Sequence, residues 1–103
     1  MANTNPPKRN QAFTCRITLI DATSNASFKS SPTLATGDFK VDKDGGGLNN
    51  LGTLPSVSPS STVCVLLSLS ATEMDADVVT IIGIDQTSPK EWADFALCVL
   101  TTT

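Results

Sequence analysis

The sequence predicts an all-β domain: an antiparallel β-sandwich of about six or seven short strands, preceded by an extended N-terminal arm. Three observations support this prediction. Several segments alternate apolar and polar residues with a period of two, which is the pattern of half-buried strands. Turn-forming residues separate these segments, and no segment keeps a helical period. Ser and Thr are abundant, at 11 and 14 residues, and together with Val and Ile they favour strands over helices.

Length and composition indicate one small globular domain. A chain of 103 residues can bury only a modest core, and an apolar content of 40% excludes a disordered chain. A transmembrane helix needs about 20 consecutive apolar residues, and every apolar run in the sequence is much shorter. The first residues lack the apolar centre of a signal peptide. We therefore expect synthesis in the cytoplasm. We also expect the three cysteines to be reduced and to serve as small core residues (Cys15, Cys64 and Cys98).

Residues 1–12 form the predicted arm, and residues 13–103 form the sandwich domain. The arm is polar, so an isolated arm should be mobile and a neighbouring chain is expected to hold it. Two consecutive prolines would reduce the entropy that the arm loses on binding. We expect the arm to bind its partner through Asn5, Pro6, Pro7, Lys8 and Arg9.

The first half of the domain contains two alternating segments. Residues 13–20 place four apolar side chains on one face (Phe13, Cys15, Ile17 and Leu19). Residues 38–42 alternate again, with Phe39 and Val41 inward, and the sequence KDGGG that follows predicts a hairpin turn in which Gly supplies positive φ. A return strand should contain Leu48 and Leu51. Residues 54–61 include two prolines, which predicts a loop or an edge crossing.

The second half supplies three further strands. Residues 62–69 place Val63, Val65, Leu67 and Leu69 on one face. Residues 77–84 are apolar on both faces, which predicts a central strand. Residues 92–100 form the predicted last strand, which Trp92 opens. We interpret Trp92 as a core residue, with an interface anchor as the alternative, because Trp is enriched at binding hot spots.

The acidic stretch LSATEMDAD, residues 69–77, predicts a corner between two strands. Ser70 is a suitable N-cap and Glu73 lies three residues later, which is the spacing of a capping box. A β-branched strand begins at Val78, so the helix is limited to one turn. Met74 can then close the end of the core. In immunoglobulin-like sandwiches the chain crosses between the sheets at such a corner.

A cation site is the functional alternative for the same residues. Asp75 and Asp77 could bind Ca²⁺ with help from Asp42, Asp44 or Asp85. The sequence DKDGGG begins like a calcium loop, but it lacks the acidic or amide residue at the fifth position and the Glu at the twelfth. We therefore predict no metal and no cofactor.

The remaining chemistry is sparse. The sequence has no His and no Tyr, so it lacks the usual general base and the commonest ligand of transition metals. It contains no phosphate-binding glycine motif, and five aromatic residues cannot both fill a core and line a sugar cleft. Its net charge is −3, and the basic residues of the arm leave the remainder more acidic still. These features predict neither an enzyme nor a protein that binds nucleic acid or membrane.

Three segments in order resemble the small β-sandwich structural proteins that form head and tail modules of tailed bacteriophages. They are ITLIDATSNA (17–26), DFKVDKDGGG (38–47) and LSATEMDADVVTIIGID (69–85). The similarity spans roughly residues 13 to 100. It implies a component of the virus particle and transfers no catalytic residues.

From this resemblance we expect a capsid decoration (cement) protein on the exterior of the head. Its partners would be the major capsid protein and further copies of itself, with the arm lying on neighbouring subunits. Lys8 and Arg9 would then pair with acidic residues of the capsid. The alternative is a tail, collar or fibre component that binds a host surface through an exposed aromatic residue. Copy number per particle separates the two expectations, because decoration requires many copies and a tail part only a few.

Overall fold

A computed structural model describes residues 6–24 and 26–102. They form seven strands in two antiparallel sheets packed around one core, which confirms the predicted all-β sandwich. The strands are β1 (Phe13–Thr18), β2 (Phe39–Lys43), β3 (Leu48–Asn50), β4 (Ser56–Val57), β5 (Cys64–Leu69), β6 (Val78–Gly83) and β7 (Phe95–Leu100). In the described ranges, the structure has no helix of a length and hydropathy that would span a membrane.

The two sheets have the orders β1-β5-β4 and β3-β2-β6-β7. This is the order of an immunoglobulin-like sandwich whose three-stranded sheet lacks its first strand. Strand β6 lies between β2 and β7, which confirms the central position predicted for residues 77–84. Residues 56 and 57 pair with β5 as a short edge strand, where prolines on either side cost no hydrogen bond of the sheet.

The alternating pattern decides which side chains meet between the sheets. In β5 and β6 every second residue is buried, as a period of two requires. Burying these apolar surfaces is the main favourable contribution to folding. The buried core comprises Leu19, Phe39, Val41, Val65, Leu67, Leu69, Met74, Ala76, Val79, Ile81, Trp92 and Val99.

Trp92 lies in this core and not on the surface. Its side chain is 0% exposed, its ring stacks on Phe39 with the ring centroids 5.3 Å apart, and its Nε1–H donates to the Thr33 carbonyl at 3.2 Å. A side chain without exposed surface cannot anchor an interface, so the structure corrects that alternative and places Trp92 in the core.

The last strand begins three residues later than the sequence predicts. Trp92 pairs with Asp21 in an isolated bridge, and the Ala93 N–H donates to the Ile20 carbonyl at 2.8 Å. These contacts extend the line of β1 in the three-stranded sheet. From Phe95 onward the chain pairs with β6 in the other sheet. Residues 92–94 therefore carry the chain from one sheet to the other.

Two buried carboxylates hold the loops at the start of β2 and the end of β6. Asp38 accepts hydrogen bonds from the N–H groups of Ala35 and Gln86, at 2.9 and 3.1 Å. Asp85 accepts them from Thr87 and Glu91, at 2.9 and 2.7 Å. Burial raises the pKa of Asp85, but these hydrogen bonds outweigh burial and the pKa is lowered. Both carboxylates are therefore structural.

The cysteines depart from the expectation of three core residues. All three are free thiols, Cys15 and Cys64 are half-buried, and Cys98 is exposed. Cys15 points inward, and burial raises the pKa of its thiol. Cys64 and Cys98 occupy outward positions of β5 and β7, next to buried Val65 and Val99 in the alternating pattern. An apolar run does not by itself say which of its residues face the core.

Candidate functional site

The acidic corner, residues 70–77, joins β5 to β6. The Glu73 N–H donates to Ser70 Oγ at 3.1 Å, and the Ser70 N–H donates to Glu73 Oε1 at 2.9 Å. These are the two reciprocal bonds of a capping box. The Met74 N–H donates to the Ser70 carbonyl at 3.0 Å, which closes one turn, and the Met74 side chain is 0% exposed. The corner therefore turns the chain and covers one end of the core.

Contacts from elsewhere in the chain hold the corner in place. The second carboxylate oxygen of Glu73 accepts a hydrogen bond from the Gly52 N–H at 2.9 Å. The Lys43 ammonium donates to the Thr72 carbonyl at 3.0 Å. Lys43, Thr72 and Glu73 line an open surface pocket of about 260 Å³ beside the β2–β3 hairpin. Its two charged groups already bond to this chain, so the pocket presents no convergent unpaired polar groups from these residues.

The described part of the N-terminal arm lies against the end of β7. The Arg9 N–H donates to the Thr102 carbonyl at 2.8 Å, and the Thr102 N–H donates to the Pro7 carbonyl at 2.9 Å. Lys8 and Thr102 thus form a short parallel bridge. The Asn10 N–H donates to the Met74 carbonyl at 3.1 Å. The arm is bound to its own domain along residues 7–10, next to the acidic corner.

Arg9 joins the arm to the acidic corner by charge. Its Nε lies 3.0 Å from Asp75 Oδ1, and its Nη1 lies 2.7 Å from Asp77 Oδ1. The hydrogen bond to Asp75 is the main reason that the pKa of Arg9 is raised, and the charges of Asp77 and Asp44 add to it. All of these groups are exposed, so water screens the ion pairs. They fix the position of the arm and add little to the free energy of unfolding.

Asp44 fixes the turn that follows the corner. Its carboxylate accepts hydrogen bonds from the N–H groups of Val78 and Asp77, at 2.9 and 3.3 Å. The bond from Val78 is the largest cause of the lowered pKa of Asp44, and the charge of Arg9 contributes as well. The carboxylate thus connects the β2–β3 hairpin to the start of β6.

The aspartates of the cation alternative have separate roles in the structure. Asp42 accepts the N–H groups of Gly45 and Gly47, at 3.0 and 2.8 Å, and both glycines have positive φ. Asp85 holds a loop elsewhere, while Asp75 and Asp77 share Arg9. Across residues 6–24 and 26–102 there is no group of three or more His, Cys, Asp or Glu residues arranged to hold a metal ion.

Among the residues predicted for partner binding, the structure brings Arg9 to the acidic corner. It brings Pro7 and Lys8 to Thr102 at the end of β7. Pro6 is exposed, and Asn5 lies outside the described residues. The sequence analysis missed the contact between Arg9 and the corner. The residues that pair are 66 and 68 positions apart, and no local spacing relates them. The basic residues of the arm and the acidic remainder of the chain indicate attraction between the two, but they do not say which carboxylates Arg9 meets.

Protein-family models, curated proteins and solved structures were compared with the chain, and none of the three comparisons yields a match.

Proposed function

We propose that this chain is a structural protein of a tailed-bacteriophage particle that decorates the exterior of the capsid. The resemblance of residues 17–26, 38–47 and 69–85 to phage head and tail modules supports the setting. The observation that carries the proposed role is the docking of the arm onto the acidic corner. This contact brings both ends of the described chain to one surface, which we take as the surface of attachment.

The proposed attachment surface is acidic. Arg9 is already paired with Asp75 and Asp77, so it is not the group that an external carboxylate would meet. Asp44 lies next to this pair. With Glu73 the surface has four carboxylates against the three cations Lys8, Arg9 and Lys43, which gives a net charge of −1. We therefore propose that the partner presents basic side chains. The charge proposed for the partner is therefore opposite to the one expected from the sequence, in which Arg9 pairs with acidic groups of the capsid.

The proposal includes no catalytic step and no cofactor. Ser70 and Glu73 bond to each other, and the second oxygen of Glu73 holds the Gly52 amide. The Asp44 carboxylate accepts two backbone amides. These side chains use their hydrogen-bonding capacity to hold the backbone of their own domain. This supports a role in which the domain is a rigid structure that attaches to a partner.

Sedimentation with capsid shells tests the proposal. Shells of the parent phage that lack this protein are mixed with the purified chain, and bound chain is quantified against the major capsid protein. We expect saturable binding with a copy number comparable to that of the capsid protein. Binding should weaken as salt concentration rises, because the proposed contact pairs exposed opposite charges.

The double variant Asp75→Asn/Asp77→Asn should bind the shells more weakly. Asp94→Asn is the matched control, because Asp94 is an exposed, ion-paired aspartate at the other end of β7. Absence of co-sedimentation, or equal binding by both variants, would contradict the proposal. A copy number of only a few per particle would favour the tail, collar or fibre alternative, which predicts that the isolated domain binds host cells.

A further inference from the structure

The outer face of the four-stranded sheet is largely apolar. Strand alternation points Val78, Thr80 and Ile82 of β6 away from the core. Leu48, Ile84 and Leu100 are exposed, Leu100 at 67%. We define the outer face by the outward positions of the four strands, which are Lys40, Asp42, Leu48, Asn50, Val78, Thr80, Ile82, Ala96, Cys98 and Leu100.

The other sheet shows the contrast. The outward positions of β1 are Thr14, Arg16 and Thr18, and Arg16 pairs across the sheet with Leu66. Such a mostly polar surface is the norm for the solvent side of an antiparallel sheet. Strand β6 lies between β2 and β7, and these neighbours cover its two edges. They leave its outward face uncovered, so the central position does not explain why that face is apolar. A contiguous exposed apolar face marks an interaction surface.

The charges on the outer face indicate what covers it. Lys40 and Asp42 are its two charged positions, they have opposite signs, and they are neighbours on the outward side of β2. We propose that a second copy of this chain packs on the outer face about a two-fold axis. The axis lies between the two stacked sheets and runs perpendicular to the strands. It passes midway between Lys40 and Asp42, and therefore midway between the residues that pair with each of them across the sheet. Lys40 then lies opposite the partner's Asp42, and the same contact occurs twice.

The same axis brings apolar side chains together at two places. Ile84, which directly follows β6, lies opposite the partner's Val78. Ala96 of β7 lies opposite the partner's Cys98, whereas Ile82 lies opposite the partner's Thr80. A groove of about 210 Å³ lies between Lys40, Leu48, Ile82 and Ile84 and can receive the partner's Val78. Two sheets stacked in this way keep their strands within about 30° of each other and lie about 10 Å apart.

The size of the face sets the expected strength. The four strands have 5, 3, 6 and 6 residues, and their outer face covers about 320 Å² on each copy, from the usual strand spacing and rise. A total of about 640 Å² is below the range of stable specific interfaces, so the dimer should be weak and transient. We expect a concentration-dependent equilibrium between monomer and dimer with a dissociation constant in the micromolar range or weaker.

This inference does not rest on the proposed place of the protein in a virus particle. The outer face and the acidic corner are different surfaces. The association of the purified chain is measured without capsid shells, so failure of one proposal is distinguishable from failure of the other.

Analytical ultracentrifugation of Ile82→Thr and Leu66→Thr tests the location. Both variants exchange a half-buried outward aliphatic residue for threonine, one on each sheet. We expect Ile82→Thr to weaken dimerisation about tenfold and Leu66→Thr to leave it within about twofold. A wild-type chain that remains monomeric up to about 200 µM overturns the proposal. Equal effects of the two substitutions also overturn it.

Charge variants test the two-fold axis. Lys40→Glu places a negative charge opposite the partner's Asp42 and should weaken the dimer at low salt. Asp42→Lys removes the carboxylate that holds Gly45 and Gly47, so it is compared with Lys40→Glu/Asp42→Lys, which carries the same loop change. The double variant restores opposite charges and should dimerise about tenfold more tightly than Asp42→Lys alone. No difference between them rejects this axis.

Discussion

Removal of the Met74 side chain tests whether the acidic corner closes the core. Met74 is 0% exposed, and its N–H and carbonyl bond to Ser70, Asn10 and Ala76. Met74→Ala keeps these backbone bonds and removes only the packing. Truncating a buried Met to Ala costs about 2–5 kcal/mol, whereas the volume-conserving change Met74→Leu should cost less than about 1.5 kcal/mol. A domain stabilised by about 10 kcal/mol, the middle of the usual range, should remain folded after either change.

Urea unfolding followed by fluorescence provides the measurement. Trp92 is the single Trp, and it is buried against Phe39, so its emission reports the core directly. With a urea dependence of about 2 kcal/mol per molar, the middle of the usual range, Met74→Ala should lower the midpoint by roughly 1–2.5 M. Leu54→Ala is a matched control, because Leu54 is 45% exposed and its truncation should change stability by less than about 0.5 kcal/mol.

The outcomes separate two roles for the corner. A midpoint shift for Met74→Ala that exceeds those of Met74→Leu and Leu54→Ala, without a change in slope, supports a corner that covers the core. A shift no larger than that of Leu54→Ala refutes the reasoning, since Met74 would then contribute no more than a surface residue.

Three further predictions concern the core, pH and the arm. Gly83→Ala should destabilise the fold by about 1–3 kcal/mol by overpacking, since the new Cβ would lie 2.7 Å from the buried Phe39 ring; a wild-type urea midpoint contradicts this. Hydrogen bonds lower the pKa of Asp85 despite its burial, so its contribution to stability is complete above the ordinary value of 3.8 and is lost as pH falls through the lower folded-state pKa. Urea midpoints from neutral to acidic pH should therefore depend less on pH in Asp85→Asn, and equal dependence in both proteins argues against it. Arg9→Gln should speed hydrogen exchange of the Thr102 amide, which donates to Pro7, while amides of β6 stay protected; unchanged exchange at Thr102 would mean that the ion pairs do not hold the arm.

Local spacing explains what was predictable at the corner and the hairpin. Ser70 and Glu73 are three residues apart, and the capping-box bonds that this spacing predicts are both present. The glycines at 45 and 47 have the positive φ expected of the turn. Such features depend on groups a few residues apart, so the sequence itself contains both partners.

Long-range contacts explain what was not predictable. Nothing in the order of residues indicates that Arg9 meets Asp75 and Asp77, because the two segments approach only when β1 and β6 take their places in the sheets. The position of Trp92 is similar. Its pairing with Asp21 requires the chain to change sheets before β7 begins, and the alternation of residues 92–100 alone suggested one continuous strand.

The sequence by itself determined the sandwich and the inward faces of β1, β2 and β5, because a period of two in apolar residues is a local property that folding preserves. The tertiary structure alone decided the docking of the arm, the change of sheet at Trp92 and the use of Asp38 and Asp85 to hold loops. It also left the second apolar face of β6 uncovered. The physical reason is that periodicity states which side chains avoid water, whereas only the packed sheets determine which surfaces find a partner within the chain.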